Sequence, residues 1–137
     1  MSERDDEPRH LRGGCLCGAV RYEATGPFRS VTVCHCSMCL KTHGAPAGYT
    51  AVDRAGLEMG EDRGLRWYRS SDEARRGFCG ECGASLFFDW LEALHISIAA
   101  GTLDGPTGLR TVAHIYAADK GDYYELADGL TVYPGAD

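Results

Sequence analysis

The sequence lacks an excess of basic residues and has no long apolar run. Its 137 residues carry 14 lysines and arginines against 20 aspartates and glutamates, a net charge of -6 at pH 7. This balance disfavours a large basic surface for nucleic-acid phosphates or an anionic membrane. No stretch approaches the roughly 18 consecutive apolar residues of a membrane span, and Met1 to Arg12 contains no apolar segment of the signal-peptide kind. We therefore expect no nucleic-acid partner, no membrane partner and a cytoplasmic location.

Proline is also scarce, whereas glycine is abundant. The chain has 5 prolines and 18 glycines, and a glycine content this high suits many short strands joined by tight turns. Its length supports one domain with a real core but not two comfortable ones. We predict a charged, disordered leader over residues 1–10, because this stretch has few apolar side chains to bury. A single mainly β domain over residues 11–137 follows it.

Alternating and β-branched segments predict the strands of this domain. The segment Leu11 to Ala24 has the pattern of a hairpin with two cysteines in its turn. Residues Leu40 to His43 are predicted to form one helical turn before Gly44-Ala45-Pro46 ends it. Further short strands are predicted at Val31 to Val33, Ala47 to Val52, Leu57 to Met59, Leu65 to Arg69, Ser85 to Trp90 and His95 to Ala99.

Seven cysteines carry the chemical information in this sequence. In a reducing compartment, clustered cysteines usually bind metals or act in catalysis, and an odd number leaves one thiol over in any disulfide framework. Disulfides remain the alternative to metal binding. Two cysteine pairs, far apart in sequence, together make one set of four thiols: Cys15, Cys17, Cys79 and Cys82. We expect this set to hold a structural zinc ion that joins the first hairpin to the middle of the chain.

The remaining three thiols lie within six residues, in Cys34-His35-Cys36-Ser37-Met38-Cys39. Three protein ligands are typical of a catalytic zinc, which keeps a fourth position for water or substrate. A metal that already bears three thiolates is a weak Lewis acid, so an incoming thiol is a more natural fourth ligand than an activated water. The alternative is a second closed site, completed by His35, His43, His95 or His114. An iron–sulfur cluster fits a division into four and three thiols less well.

These motifs resemble the glutathione-dependent formaldehyde-activating enzyme family, which has the Mss4-like fold. The matching stretches span most of the chain and run from Gly13 to Tyr22, from Cys34 to Cys39, from Phe78 to Ala84 and from His114 to Tyr116. The resemblance implies a domain of short antiparallel sheets stapled by zinc knuckles. It also implies two zinc ions, a structural one on Cys15, Cys17, Cys79 and Cys82 and a catalytic one on Cys34, Cys36 and Cys39.

The resemblance further implies a carbon-sulfur lyase type of enzyme. The family's proposed reaction joins glutathione to formaldehyde and gives S-(hydroxymethyl)glutathione, so a small thiol and a small aldehyde are the expected partners. If glutathione is the co-substrate, Lys41 and Lys120 are candidates to pair with its carboxylates. His114, which lies in a matching stretch, is a third candidate for substrate binding. The alternative function is a non-enzymatic zinc-binding module of the Mss4-like fold that recognises another protein.

Overall fold

Across residues 4–137, which this computed structural model of the protein describes, the chain forms eleven β-strands and one α-helix. The helix α1 spans Ser37–His43. The strands are β1 Arg4–Gly14, β2 Arg21–Arg29, β3 Val31–Cys34, β4 Ala47–Asp53, β5 Leu57–Glu61, β6 Leu65–Arg69, β7 Ala74–Cys79, β8 Ser85–Trp90, β9 His95–Ala99, β10 Thr111–Ile115 and β11 Thr131–Val132. The prediction of a mainly β chain is confirmed. Within the described part of the chain, no helix is long and apolar enough to cross a bilayer.

The strands form two sheets. A small sheet has the order β1-β2-β5, and a large sheet has the order β11-β10-β3-β4-β9-β8-β7-β6. Neighbouring strands are antiparallel throughout, as expected, except around β10, which runs parallel to both β3 and β11. Parallel neighbours need a long connection, and here most of the domain separates β3 from β10 in the sequence.

The first strand corrects the prediction of a disordered leader. Residues 4–10 belong to β1, which pairs antiparallel with β2 through partners such as Arg9 with Gly26. His10 contacts both a carboxylate and a hydroxyl of β2, Glu23 Oε1 at 2.7 Å and Thr25 Oγ1 at 2.8 Å. The segment needs no core of its own, because β2 supplies the backbone and side-chain partners. Residues 1–3 of the predicted leader lie outside the described residues.

The main core fills the space between the two sheets. Buried side chains of β2, among them Tyr22 and Phe28, pack with buried residues of β4, β8 and β9. The Phe87 ring lies at the centre of this core, 5.2 Å from the Tyr22 ring and 6.1 Å from the Trp67 ring between centroids. Alternation along β8 turns the next residue, Phe88, to the opposite face of the large sheet, where a second cluster contains Cys34 and Cys39.

Truncation of the central ring tests this description of the core. We expect Phe87→Ala to lower the free energy of unfolding by about 3–5 kcal/mol, because it removes transfer free energy and leaves a cavity. Leu94→Ala is the control, since Leu94 is 86% exposed, and its effect should stay within about 0.5 kcal/mol. Urea unfolding followed by circular dichroism measures both. Equal effects of the two substitutions would contradict this placement of the core.

Candidate active site and metal centres

Two strand turns, one from each sheet, bring four cysteine sulfurs together. The first cysteine pair lies in the turn between β1 and β2, and the second lies at the end of β7 and in the turn before β8. The Sγ atoms all lie within 4.8 Å of one another. The four residues are Cys15, Cys17, Cys79 and Cys82. The structure thus assembles the predicted four-thiol set from segments more than 60 residues apart.

The spacing of these sulfurs fits a tetrahedral metal ion. The Sγ atom of Cys17 lies 3.8 Å from that of Cys15 and 3.8 Å from that of Cys79. Sulfurs held about 2.3 Å from a tetrahedral zinc ion would lie about 3.8 Å from one another. Backbone amides also point at the sulfurs, with Val20 N donating to Cys15 Sγ at 3.2 Å and Glu81 N to Cys79 Sγ at 3.3 Å. Such hydrogen bonds favour the thiolate, which is the form that binds metal.

The other three cysteines meet where β3 passes into α1. Cys34 ends β3, Cys36 is the N-cap of α1 and Cys39 lies in its first turn, and their Sγ atoms also lie within 4.8 Å of one another. The Cys36 sulfur accepts a hydrogen bond from the Cys39 amide at 3.4 Å. This cap starts the helix at Ser37, which corrects the prediction of a single turn from Leu40. The helix ends as expected at Gly44, which has a φ of 77°.

Among the side chains of residues 7–137, no histidine nitrogen or carboxylate oxygen joins the three-thiol cluster. His35, between two of the cysteines, has both ring nitrogens occupied elsewhere, by the Tyr124 hydroxyl and by His114 Nδ1, each at 2.8 Å. The Nε2 atom of His43 lies 2.7 Å from the Tyr49 hydroxyl. The geometry therefore favours an open three-thiol site over one completed by a histidine. A metal ion on these sulfurs would keep a position for an outside ligand.

A cavity of about 410 Å³ borders all three sulfurs of this cluster. Its walls are mostly apolar, and they include Phe88, Trp90 and Ile115. Two arginines, Arg29 and Arg76, are also among the lining residues. A mostly apolar cavity with a small number of polar groups at one end is typical of a binding site for a small molecule.

Arg76 lies at the thiol end of this cavity, and only 7% of the residue is exposed. Its Nη2 atom lies 3.7 Å from Cys39 Sγ, and the guanidinium lies 4.9 Å from the centre of the Phe88 ring. The hydrogen bond with Cys34 lowers the pKa of the Cys39 thiol to about 6, and the Arg76 charge acts in the same direction. The same hydrogen bond raises the pKa of Cys34. The cluster thus favours a thiolate even before a metal charge is added.

Sequence patterns did not single out Arg76. The signal was present in Ala74-Arg75-Arg76-Gly77-Phe78, because two adjacent residues of a strand point to opposite faces. Whichever face of the strand carries the thiol cluster, one of the two arginines therefore points to that face. Spacing alone did not show that this arginine meets the three thiols.

The predicted substrate-binding lysines lie in different surroundings. Lys41 is exposed on α1 and borders a second cavity of about 310 Å³, which shares Ser37, Met38, Ser70 and Arg76 with the first. Lys120 Nζ donates to the carbonyl oxygens of Gly121 and Tyr124, at 3.0 and 2.8 Å. Lys120 does not border the cavity at the thiols. Its role in substrate binding stays a prediction.

His114 is buried in a chain of hydrogen bonds behind the three-thiol cluster. Its Nε2 atom lies 2.8 Å from Asp128 Oδ2, and its Nδ1 atom lies 2.8 Å from His35 Nε2. The chain continues from His35 Nδ1 to the Tyr124 hydroxyl, which accepts from the Gly121 amide at 3.2 Å. Since both nitrogens of His114 are occupied and the ring does not border the cavity, its predicted contact with substrate also stays a prediction.

The groups at the two ends of this hydrogen-bond chain determine which atom donates and which accepts at each step. The hydrogen bond from His114 holds the pKa of Asp128 below its usual range, so the carboxylate accepts. With one proton on each ring, His114 then accepts from His35, and His35 accepts from the Tyr124 hydroxyl. Burial lowers the pKa of His35, which agrees with a neutral ring. The arrangement holds His35, and with it the backbone between Cys34 and Cys36, in one orientation.

Removal of the Tyr124 hydroxyl tests this chain of hydrogen bonds. We expect Tyr124→Phe to lower the free energy of unfolding by about 1–2 kcal/mol, because His35 Nδ1 and the Gly121 amide each lose a partner. Tyr123→Phe makes the same chemical change at the adjacent residue, whose side chain is 68% exposed, and should have little effect. Urea unfolding measures the difference. A hydrogen-bond chain of this kind would be contradicted by equal stabilities of the two variants.

The comparisons with known proteins agree on one family. The model of the glutathione-dependent formaldehyde-activating enzyme family matches residues 10–119. A Schizosaccharomyces pombe protein named as an uncharacterized lyase is 27% identical over 123 residues, which cover 88% of each chain. A Halomonas elongata protein named for glutathione-dependent formaldehyde activation is 29% identical over 133 residues, which cover 85% of this chain and 80% of that one.

A solved structure supports the fold alone. The crystal structure of a Rhodobacter sphaeroides protein superposes with a TM-score of 0.58 at 22% identity, covering 73% of this chain and 97% of that chain. The family match covers both thiol clusters, the helix between them and the strands that carry them. The chain belongs to the glutathione-dependent formaldehyde-activating enzyme family.

Proposed function

We propose that the protein is a zinc-dependent enzyme of the carbon-sulfur lyase type that joins a small thiol, glutathione or a relative, to a small aldehyde. One observation carries this proposal: the sulfurs of Cys34, Cys36 and Cys39 form a three-ligand set that opens on a cavity of about 410 Å³. A purely structural knuckle needs no such cavity. The names of the two relatives, a lyase and a formaldehyde-activating protein, support the same reaction class.

Zinc is the metal that best suits both clusters. Thiolates are soft ligands, and tetrahedral sites rich in sulfur favour zinc over harder cations. The ion on Cys15, Cys17, Cys79 and Cys82 would have all its positions filled by protein and would serve the fold. The ion on the three-thiol cluster would supply a binding position that stabilises the incoming thiol as its thiolate.

The protein's own residues would do the positioning. Phe88, Trp90 and Ile115 give the space beside the thiols apolar walls, and a thiol and an aldehyde bound against them would displace water that could otherwise hydrate the aldehyde. Holding thiol and aldehyde side by side replaces a collision in solution with a reaction between bound groups. The Asp128–His114–His35–Tyr124 chain fixes the backbone that carries two of the ligands.

The rest of the thiol substrate has a route out of the site. The second cavity, about 310 Å³, continues past Ser37 and Met38 to Lys41 on the outer side of α1. A peptide thiol bound with its sulfur at the cluster can extend along this route, and Lys41 is then placed to pair with one of its carboxylates. We keep Lys120 and His114 as further candidates for contact with substrate.

Loss of single cysteines should separate the two metal sites. We expect the wild type to hold two zinc ions per chain. Cys36→Ser should keep its fold and one zinc ion but lose activity, because only the open site is damaged. Cys82→Ser should lose cooperative unfolding, because a closed structural site contributes folding free energy directly. Atomic absorption and thermal unfolding measure these outcomes. Activity that survives Cys36→Ser would contradict the metal-centred mechanism.

Binding of glutathione tests the open coordination position. In cobalt-substituted protein, glutathione should change the absorption spectrum, because a fourth thiolate enters the coordination shell of the cobalt at the three-thiol cluster. S-methylglutathione is the control, since its thioether cannot form a thiolate. Turnover of glutathione with formaldehyde and other small aldehydes, followed by nuclear magnetic resonance, completes the test. A spectrum unaffected by glutathione, together with no turnover, would instead favour the protein-interaction module.

A further inference from the structure

Arg76 has hydrogen-bonding capacity that the folded protein does not use. The residue is more than nine-tenths buried, yet neither Nε nor Nη1 has a hydrogen-bond partner within the described residues. Buried polar atoms are nearly always hydrogen-bonded, and an unsatisfied one costs free energy. Arg76 also lines the cavity at the three thiols, so the guanidinium that carries these two buried donors forms part of the wall that a bound molecule meets.

Charge balance alone does not account for this arginine. Its contact with the thiol cluster is made by Nη2, which lies 3.7 Å from Cys39 Sγ. A guanidinium has five N–H donors in a fixed planar fork, so its contacts with this sulfur and with the Tyr49 hydroxyl leave Nε and Nη1 without a partner among the residues that the structure describes. The Phe88 ring, 4.9 Å away, packs against the guanidinium and helps to hold it in place. The guanidinium of Arg76 is therefore held in place, but two of its nitrogens have no hydrogen-bond partner in the described part of the chain.

We propose that Arg76 is a catalytic residue whose guanidinium donates hydrogen bonds to the aldehyde oxygen as sulfur adds to the carbonyl carbon. This inference rests on the proposed function. In the step, the substrate thiol first loses its proton to solvent. Its sulfur then forms the carbon–sulfur bond, and the electron pair of the carbonyl π bond moves to oxygen. The oxygen, held by Arg76, becomes an alkoxide and takes a proton from solvent, while Arg76 keeps its own.

The position of Arg76 favours the reacting oxygen over a carboxylate of the thiol substrate. In the adduct, the oxygen lies only two bonds from the sulfur, whereas the carboxylates of a peptide thiol lie several bonds further away. Arg76 is in direct contact with Cys39, one of the ligands, so it meets atoms close to the reacting sulfur. Lys41, on the exposed side of α1, is better placed for the distant carboxylates.

The surroundings strengthen the effect of this charge. Negative charge that develops on oxygen in a cavity with apolar walls interacts with a fixed guanidinium more strongly than it would in water. The donors also need no rearrangement during the step, because the Phe88 ring and the Cys39 sulfur already hold the side chain. An oxyanion site of this kind stabilises the transition state more than the bound substrates.

Kinetics of Arg76→Gln test the proposal. We expect kcat for adduct formation to fall by about 10²–10³, as on loss of an oxyanion donor, while the affinity for glutathione changes by less than about threefold. Arg12→Gln is the control, because the Arg12 side chain is 68% exposed, and it should match the wild type. Zinc content and circular dichroism verify the fold. If Arg76→Gln loses zinc, Arg76→Lys, which keeps the charge but not the planar fork, carries the test and should lower kcat alone.

A binding experiment gives a readout that does not depend on turnover. Mercaptoacetate carries a negative oxygen close to its sulfur, whereas ethanethiol does not. Titrated into cobalt-substituted wild type, mercaptoacetate should bind more tightly than ethanethiol, and Arg76→Gln should reduce the difference. Chelation of the metal by the carboxylate would survive that substitution, whereas a contribution from Arg76 would not.

The outcomes separate this inference from the function on which it rests. Unchanged kcat and an unchanged preference between the two thiols in Arg76→Gln would overturn the role of Arg76 and leave the proposed function standing. Loss of glutathione affinity with kcat unchanged would overturn it in favour of a carboxylate contact. A wild type that binds no thiol would overturn both.

Discussion

The convergence of four thiols from two separate sheets is the constraint on which the rest of the structure depends. Cys15 and Cys17 belong to the turn of the small sheet, whereas Cys79 ends β7 of the large sheet and Cys82 lies in the turn that follows it. A metal ion at this point would tie the sheets together at one end of the core that they enclose, and it would fix β7 at its last residue. Three residues earlier on the same strand, Arg76 reaches the other thiol cluster. The closed site thus determines where the charged side chain of the open site lies.

Features that depend only on the spacing of residues close together in the sequence could be predicted from the sequence. The two thiol sets, the strand segments and the helix after the second knuckle all follow from neighbours within a few residues. The prediction of a disordered leader over residues 1–10 was wrong for residues 4–10, because their strand depends on a partner that is distant in the sequence. Its charges and lack of apolar residues are real, but a strand at the edge of a sheet needs only a partner's backbone, and β2 supplies it. The length of β2 beyond the predicted hairpin was not visible in the composition of residues 1–10.

The hydrogen-bond chain and the cavity could not be found in the sequence, because their parts meet only in three dimensions. Asp128 and His114 are 14 residues apart, and His114 and His35 are 79 apart. β10 brings His114 beside the segment from Cys34 to Cys39 by pairing parallel with β3, and no local sequence pattern predicts this pairing. The sequence showed a histidine between two candidate metal-binding cysteines, but only the fold shows that its ring nitrogens face Tyr124 and His114 and that His114 in turn contacts Asp128.

Two adjacent arginines of β7 show why the free donors of Arg76 are informative. Arg75 points to one face of the strand, where its Nε atom lies 2.8 Å from Asp89 Oδ2, and Arg54 contacts the same buried carboxylate at 2.8 Å. On that face the fold supplies an anion that matches the guanidinium. On the other face, the fold offers Arg76 a sulfur of the three-thiol cluster at 3.7 Å and the Tyr49 hydroxyl, and two buried donors keep no partner within the described residues. One residue away from Arg76, the fold thus pairs a partly exposed guanidinium with a buried carboxylate. The two donors of Arg76 that lack a protein partner are therefore best understood as serving a group that arrives with the substrate.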